Sequence, residues 1–196
     1  MRPPALVAVL WLGLLTPGCI PDVPPVTEMW QDLRDLRLRW DQMRLRPEAE
    51  QGNADGQYLL ALSYLQQGRT ADAVKWFRMA AAQGHAEAQF RLGKLAYYRE
   101  TPDEPRGWLC VAANQRHAGA MLELGSWNEA GFMRQMDHSR AYMWYSLAAS
   151  NGHESAAALK DQLAKKMTPD QVAEAERLVK EWKPGPCKLK SAKVSN

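Results

Sequence analysis

The chain has 196 residues, of which 46% are hydrophobic and 24% are charged, and its formal net charge at pH 7 is +3. These values exclude an intrinsically disordered protein, and the length suits one domain with its own core. The charge is spread over 25 basic and 22 acidic residues, which does not indicate a nucleic-acid-binding protein. Helix-forming residues dominate between residues 30 and 182 and β-branched residues are scarce, which predicts an all-α fold.

Residues 1–18 have the pattern of a secretory signal peptide. One arginine precedes an uncharged apolar run at 5–15, which as a helix would reach about 16 Å, well short of a hydrocarbon core of about 30 Å. The run ends in LTPGC, which resembles the lipobox of bacterial lipoproteins, although Thr16 replaces the leucine of that pattern. The resemblance implies cleavage before Cys19, a lipid anchor on its thiol and, from Ile20, sorting to the outer membrane. An ordinary secretory signal with a soluble periplasmic product is the alternative.

Prolines in residues 19–26 predict an extended tether after the anchor. Two further cysteines remain, Cys110 and Cys187. An oxidising periplasm would permit a disulfide between them. Two isolated thiols, one on a helix and one in the tail, are the alternative, because the sequence does not give the distance that a disulfide requires.

A sequence motif recurs along the middle of the chain. Its corner residues, Asn53, His85, His117 and His153, are separated by 32, 32 and 36 residues. A tryptophan lies nine residues before each histidine, and an alanine pair lies five and four residues before it. After each of the first three corners comes a small residue at offset three, a leucine at offset seven and Ala or Gly at offset eight. This spacing predicts two packed helices per repeat: helix A after the corner, and helix B, with Trp76, Trp108 and Trp144 in the core, before the next.

The recurring motif, WFRMAAAQGHAEAQFRLG above all, resembles the Sel-one-like repeat (SLR) family, which is related to the tetratricopeptide repeats. The resemblance implies an α-solenoid of antiparallel helix pairs in a right-handed superhelix, and a role as a protein-interaction scaffold. A solenoid also follows from the residues, because one helix pair cannot bury its apolar face alone. The predicted parts are an N-terminal capping helix at 27–53, repeats at 54–85, 86–117 and 118–153, a C-terminal capping helix pair at 154–183 with a capping box at Thr168, and a basic tail at 184–196.

Catalytic motifs of the common hydrolases, zinc proteases, phosphate-binding loops and CxxC redox proteins are missing from the sequence. The corner histidines are 32 and 36 residues apart, whereas zinc ligands are typically separated by about two to five residues. We therefore predict a protein that is not an enzyme and binds no metal or cofactor, with His85, His117 and His153 as structural corner residues.

A partner-binding surface is predicted on the A helices. Offsets two, five, nine and twelve lie opposite the packing stripe, and tetratricopeptide relatives expose these positions in a concave groove. This stripe is unusually apolar here, and aromatic side chains are favoured as interface anchors. A flanking segment of the chain that fills the groove is the alternative. Trp127, ten residues after its corner, is also expected at the surface. The predicted partner-binding residues are Tyr58, Leu62, Phe90, Lys94, Tyr97, Tyr98, Leu122 and Trp127.

The signal and the resemblance together predict a lipid-anchored adaptor of the bacterial cell envelope that binds a protein or peptide and no nucleic acid. The alternative is an envelope protein that binds or hydrolyses a cell-wall ligand on the same scaffold. Cysteine-rich relatives linked to such ligands carry disulfides within each repeat, whereas only one disulfide is available here. A cytosolic scaffold with a misread N-terminus is a third interpretation.

Overall fold

The computed structural model describes residues 26–96, 103–132 and 135–187. In these ranges all regular structure is helical, which confirms the predicted all-α fold. The signal peptide with Cys19, Tyr97 and Tyr98, and residues 188–196 lie outside the described residues. The helices are α1 (Val26–Glu50), α2 (Ala54–Gln66), α3 (Thr70–Ala82), α4 (Ala86–Ala96), α5 (Asp103–Asn114), α6 (Ala118–Glu129), α7 (His138–Ser150), α8 (Ala156–Ala164) and α9 (Pro169–Glu181).

The chain divides into two compact units, residues 1–40 and residues 41–196. The described part of the first unit is the N-terminal portion of α1. Its large apolar side chains Trp30, Leu33, Leu36 and Trp40 are exposed, whereas Leu38 is buried. The second unit contains the end of α1 and all of the other helices.

In the second unit, helices that follow one another in sequence pack against one another. The A helices α2, α4 and α6 pair with the B helices α3, α5 and α7, and α3 and α5 also contact the A helix of the next pair. Helix α7 additionally packs on α8 and α9. Contacts between sequence neighbours are the pattern of a solenoid, in which each repeat buries the apolar face of the next.

The deepest core position of each B helix is the residue after the tryptophan. Phe77 and Leu109 are fully buried and Tyr145 is 1% exposed, whereas Trp76 and Trp144 are only half-buried. Trp76 and Trp144 pack against the core clusters, as predicted, but at their edge and not in the deepest position. Trp108, the tryptophan of the second repeat, is buried, and its indole N–H has no hydrogen-bond partner among the residues that the structure describes.

Small residues on the A helices explain why the following residue takes the core position. A Cβ atom added to Gly93 would lie 2.5 Å from Leu109 Cγ, and one added to Gly125 would lie 2.6 Å from the Tyr145 ring. The glycine at offset eight thus receives the residue that follows the tryptophan. Because protein interiors are packed as densely as organic crystals, this contact fixes which face of helix B turns inward.

The C-terminal segment packs against the B helices. Helix α9 begins with the predicted capping box, in which Thr168 and Gln171 each bond the backbone of the other, and this prediction is confirmed. After α9 the Trp182 ring lies 6.0 Å from the Trp144 ring. Asn114 at the end of α5 then holds Gly185, since its Nδ2 donates to the Gly185 carbonyl oxygen at 2.7 Å. These contacts hold the segment after α9 against α5 and α7.

Among the described helices, none combines the length and apolar character that a membrane span requires.

Candidate interaction face

Six of the predicted partner-binding residues lie on the A helices, and five of them are at least partly exposed; the sixth, Trp127, is buried. Tyr58 and Leu62 are on α2, Phe90 and Lys94 are on α4, and Leu122 is on α6; we call these five residues the A-helix face. Lys94 is exposed, whereas the other four are half-buried and pack against the core clusters. The apolar members therefore share their surface between the core and solvent, and do not project freely as the sequence suggested.

The corner residues cap the A helices. Nδ1 of His85 accepts the Ala88 backbone N–H at 3.1 Å, and Nδ1 of His117 accepts the Ala120 N–H at 3.1 Å. Asn53 does the same with its Oδ1 at the first corner. Each side chain satisfies a backbone donor that a helix start would otherwise leave unpaired. His153, in contrast, lies with its Nδ1 3.3 Å from the Ser155 hydroxyl.

His85 and His117 also pack against the aromatic residues of the A-helix face. The His85 ring stacks on the Tyr58 ring with 4.6 Å between centroids, and the His117 ring lies 4.7 Å from Phe90. The Lys94 ammonium is 5.6 Å from the Phe90 ring centroid and 3.0 Å from a carboxylate oxygen of Glu123. Each aromatic residue of the face is thus held by a helix cap, which limits its freedom before any partner binds.

A carboxylate from the preceding A helix faces each capping histidine. The His85 Nε2 atom lies 3.3 Å from Asp55, and the His117 Nε2 atom lies 2.7 Å from Glu87. Burial alone would raise the pKa of Glu87, but the hydrogen bond with His117 and the charges of His117 and Arg91 outweigh it and lower the pKa. Ionised Glu87 therefore stabilises the fold at pH values above 4.5, the ordinary pKa of a glutamate. This contribution is lost as the pH falls through the lowered pKa of the folded state.

Replacing His117 by alanine is expected to lower the free energy of unfolding by about 1–2 kcal/mol, because it removes an N-cap and the hydrogen bond to Glu87. The His117→Asn variant should recover about half of this loss, since Asn53 caps α2 with a side-chain amide. Urea unfolding followed by far-UV circular dichroism measures both variants. An asparagine variant as unstable as the alanine variant would show that capping is not the role of this residue.

Sequence reasoning missed a pair of buried glutamines. Gln57 and Gln89 are each 2% exposed. Gln57 Nε2 donates to the Ala49 carbonyl at 3.1 Å, and its Oε1 accepts from Gln83 Nε2 at 2.8 Å. The arrangement recurs one repeat later, where Gln89 accepts from Gln115 at 2.7 Å. Gln57 and Gln89 come four residues after a corner residue. Their donors, Gln83 and Gln115, come two residues before the next corner residue, so the repeat spacing could have revealed this pair.

Trp127 is not the surface residue that the sequence suggested. It is only 8% exposed and belongs to the core cluster that contains Leu124 and Ala120. Ala120, Leu124 and Trp127 have the i, i+4, i+7 spacing of one helix face, so offset ten lies on the packing stripe after all. The Phe132 ring, from the turn after α6, lies 6.4 Å from the Trp127 ring.

Cys110 and Cys187 are joined in the structure as a disulfide, with 5.7 Å between their Cα atoms. This bond holds the described end of the tail against α5, which is a B helix.

Within the described ranges, no group of three or more His, Cys, Asp or Glu side chains is arranged to hold a metal ion.

Comparison with known proteins gives both a family match and similar folds. The family model described as Sel1 repeat matches residues 54–85, 86–116 and 118–153. The crystal structure of a Sel1 repeat protein from Oxalobacter formigenes is 26% identical, with a TM-score of 0.60 over 69% of this chain and 61% of that one.

A second similar structure is that of a protective antigen present in uropathogenic Escherichia coli strains and displaying an SLR fold. It is 28% identical, with a TM-score of 0.53 over 72% of this chain and 39% of that one. The match thus spans less than two thirds of the length of either structure. No curated protein sequence matches the chain.

Proposed function

The chain belongs to the Sel1 repeat family, and from this premise we propose that it is a non-catalytic scaffold of the bacterial cell envelope that binds a protein or peptide partner on its A-helix face. Sel1 repeat proteins commonly mediate protein–protein interactions. The observation that carries the proposal is the A-helix face itself, where two aromatic rings are fixed by histidine caps beside an exposed lysine.

The chemistry of the face suits a partner with apolar and charged side chains in alternation. Tyr58, Leu62, Phe90 and Leu122 offer half-buried apolar surface, and rigid aromatic anchors are favoured at interface hot spots. Lys94 and Glu123 form an ion pair beside them, and a partner charge can replace either member of that pair. Such a surface fits an amphipathic helix or an extended peptide.

The proposed location in the cell envelope rests on the N-terminal sequence and on the cysteines. The proposed acylation of Cys19 would place the repeats in the periplasm, attached to the outer membrane. A disulfide such as Cys110–Cys187 persists in an oxidising compartment, which is in keeping with this location.

Site-specific photo-crosslinking in native cells tests the proposal without large changes to the fold. A photoreactive phenylalanine analogue at Lys94 is expected to give an adduct with a discrete partner. The same analogue at Lys75, an exposed position on the B helix α3, should give none. The Lys94→Glu variant should then lower recovery of that partner at least fivefold while the far-UV circular dichroism stays unchanged.

Fractionation of the same cells tests the proposed location in the envelope. The Lys94 adduct should be in the membrane fraction, and a Cys19→Ala variant should no longer be lipid-modified by intact mass. Equal adducts from the two positions, or none from Lys94, would contradict the proposed face. A full-length cytosolic product that retains residues 1–18 would contradict the proposed envelope location.

A further inference from the structure

A pocket of about 690 Å³ lies at the C-terminal end of the repeats. Its walls come from α5, α6, the turn before α7, the first turn of α7, the start of α9 and the segment at 186–187. Small-molecule sites typically occupy about 300–1,000 Å³, so the size suits a small organic ligand. None of the five residues of the A-helix face lines it, so the pocket is separate from the proposed partner-binding surface.

One side of the pocket is basic. Arg106, His138 and Arg140 line it together with a single carboxylate, that of Asp137. That carboxylate is already engaged, since Oδ1 accepts the Arg140 backbone N–H at 2.9 Å and Oδ2 lies 3.3 Å from Arg140 Nε. In the described ranges no carboxylate pairs with Arg106. Among the described residues of the pocket, Arg106 thus provides one positive charge without a carboxylate partner, and its guanidinium group can bind a carboxylate through two parallel hydrogen bonds.

The other side of the pocket is apolar. Leu124 and Trp127 are nearly buried and present their remaining surface to the pocket, and the side chain of Met136 is 67% exposed beside them. The Cys110–Cys187 disulfide completes this wall. The pocket is thus mainly polar, with one apolar and aromatic wall against which the hydrocarbon part of a ligand can be buried.

Hydrogen bonds fix the walls of the pocket to one another. Asn114 makes two hydrogen bonds with the backbone of Gly185, through its Nδ2 and its Oδ1. The Ser139 hydroxyl donates to the Gln171 carbonyl oxygen at 3.1 Å, which joins the start of α7 to the start of α9. A pocket that is formed before the ligand arrives loses little conformational entropy on binding.

We propose that this pocket binds a small organic carboxylate, with the carboxylate on Arg106 and an aromatic or aliphatic body against Trp127 and Met136. A single uncompensated charge matches a monoanion better than a phosphate, which carries more than one negative charge at neutral pH. The ligand site is distinct from the A-helix face and does not depend on the partner proposed for that face.

The test uses 4-phenylbutyrate as the probe and 4-phenylbutyramide as its uncharged counterpart, each titrated into the ¹⁵N-labelled, oxidised protein. The carboxylate is expected to shift the Trp127 indole N–H signal saturably, and the amide should bind at least tenfold more weakly. The Arg106→Gln variant should bind the carboxylate no better than the amide. The Arg44→Gln variant, which loses an exposed arginine outside the pocket, should bind it like the wild type.

Several outcomes would overturn the proposal. These are equal binding of acid and amide, no saturable shift up to the solubility limit of the acid, or unchanged binding by the Arg106→Gln variant. The Lys94→Glu variant should retain full binding of the carboxylate, so that failure of the proposed partner face and failure of this pocket are distinguishable.

Discussion

Replacing Cys110 and Cys187 by serine is expected to lower the free energy of unfolding by about 4 kcal/mol. The disulfide joins residues separated by 77 positions, and in the chain-entropy model the closure of so long a loop restricts the unfolded chain by an amount of that order. The remaining contacts of the tail, Trp182 on Trp144 and Gly185 on Asn114, should keep the folded state intact. Urea unfolding followed by tryptophan fluorescence measures the change.

Reduction provides the matched control for this experiment. The wild-type protein in a phosphine reductant should unfold at the midpoint of the double-serine variant, and the variant itself should not respond to the reductant. Because a repeat protein can unfold in parts, the largest loss of hydrogen-exchange protection is expected in α5 to α9. Identical midpoints for the oxidised and reduced wild type would show that the disulfide adds nothing to stability.

Replacing Phe77 by alanine is expected to cost about 3–5 kcal/mol, because its ring is fully buried and the cavity left behind can collapse only in part. The neighbouring Trp76 has the larger ring but is only half-buried. The Trp76→Ala variant should therefore cost about 1–2 kcal/mol, in proportion to the smaller apolar area removed from the packed interior. The two variants differ by one position and test directly which residue occupies the core.

Chemical unfolding of both variants under identical conditions measures this difference. The slope of the free energy against denaturant should match that of the wild type, which would show that the same surface is exposed on unfolding. If Trp76→Ala lowered the free energy of unfolding more than Phe77→Ala does, Trp76 would occupy the core position, which would contradict the packing described above.

The repeat register predicted where the helices begin, because capping is a local interaction. Helices α2 and α6 start directly after their corners, Asn53 and His117, whose side chains bond a backbone N–H three residues on. The alanine pair of each B helix lies on the buried side, as the spacing indicated; Ala80, Ala112 and Ala148 are fully buried. Contacts within about four residues are encoded in the sequence pattern itself.

The choice between adjacent positions on helix B could not be predicted in the same way. Trp76 and Phe77 lie about 100° apart on the helix, and both are large and apolar. Which of two such neighbours is buried depends on how closely the A helix approaches, as the contacts of Gly93 with Leu109 and of Gly125 with Tyr145 show in the next two repeats. A periodic pattern defines a face to within roughly this angle.

The candidate sites show the same limit. The residues of the A-helix face could be placed on the correct helices, but Tyr58 and Phe90 are partly covered by the histidines of the next corner, about one repeat away. Trp127 was misplaced although its i+7 spacing from Ala120 was available. The pocket could not have been predicted, since it joins α5 to a tail that lies 77 residues further along the chain.

The disulfide also determines how the molecule would carry mechanical force. Tension applied between the N-terminus and the C-terminal tail passes directly from Cys110 to Cys187, so the helices between them bear none of it. The 77-residue separation removes roughly 260 Å from the length to which the chain can be stretched, at about 3.4 Å per residue. In a protein tethered to a membrane at Cys19, the helices before Cys110 would extend under load, while α6 to α9 would remain folded within the disulfide loop.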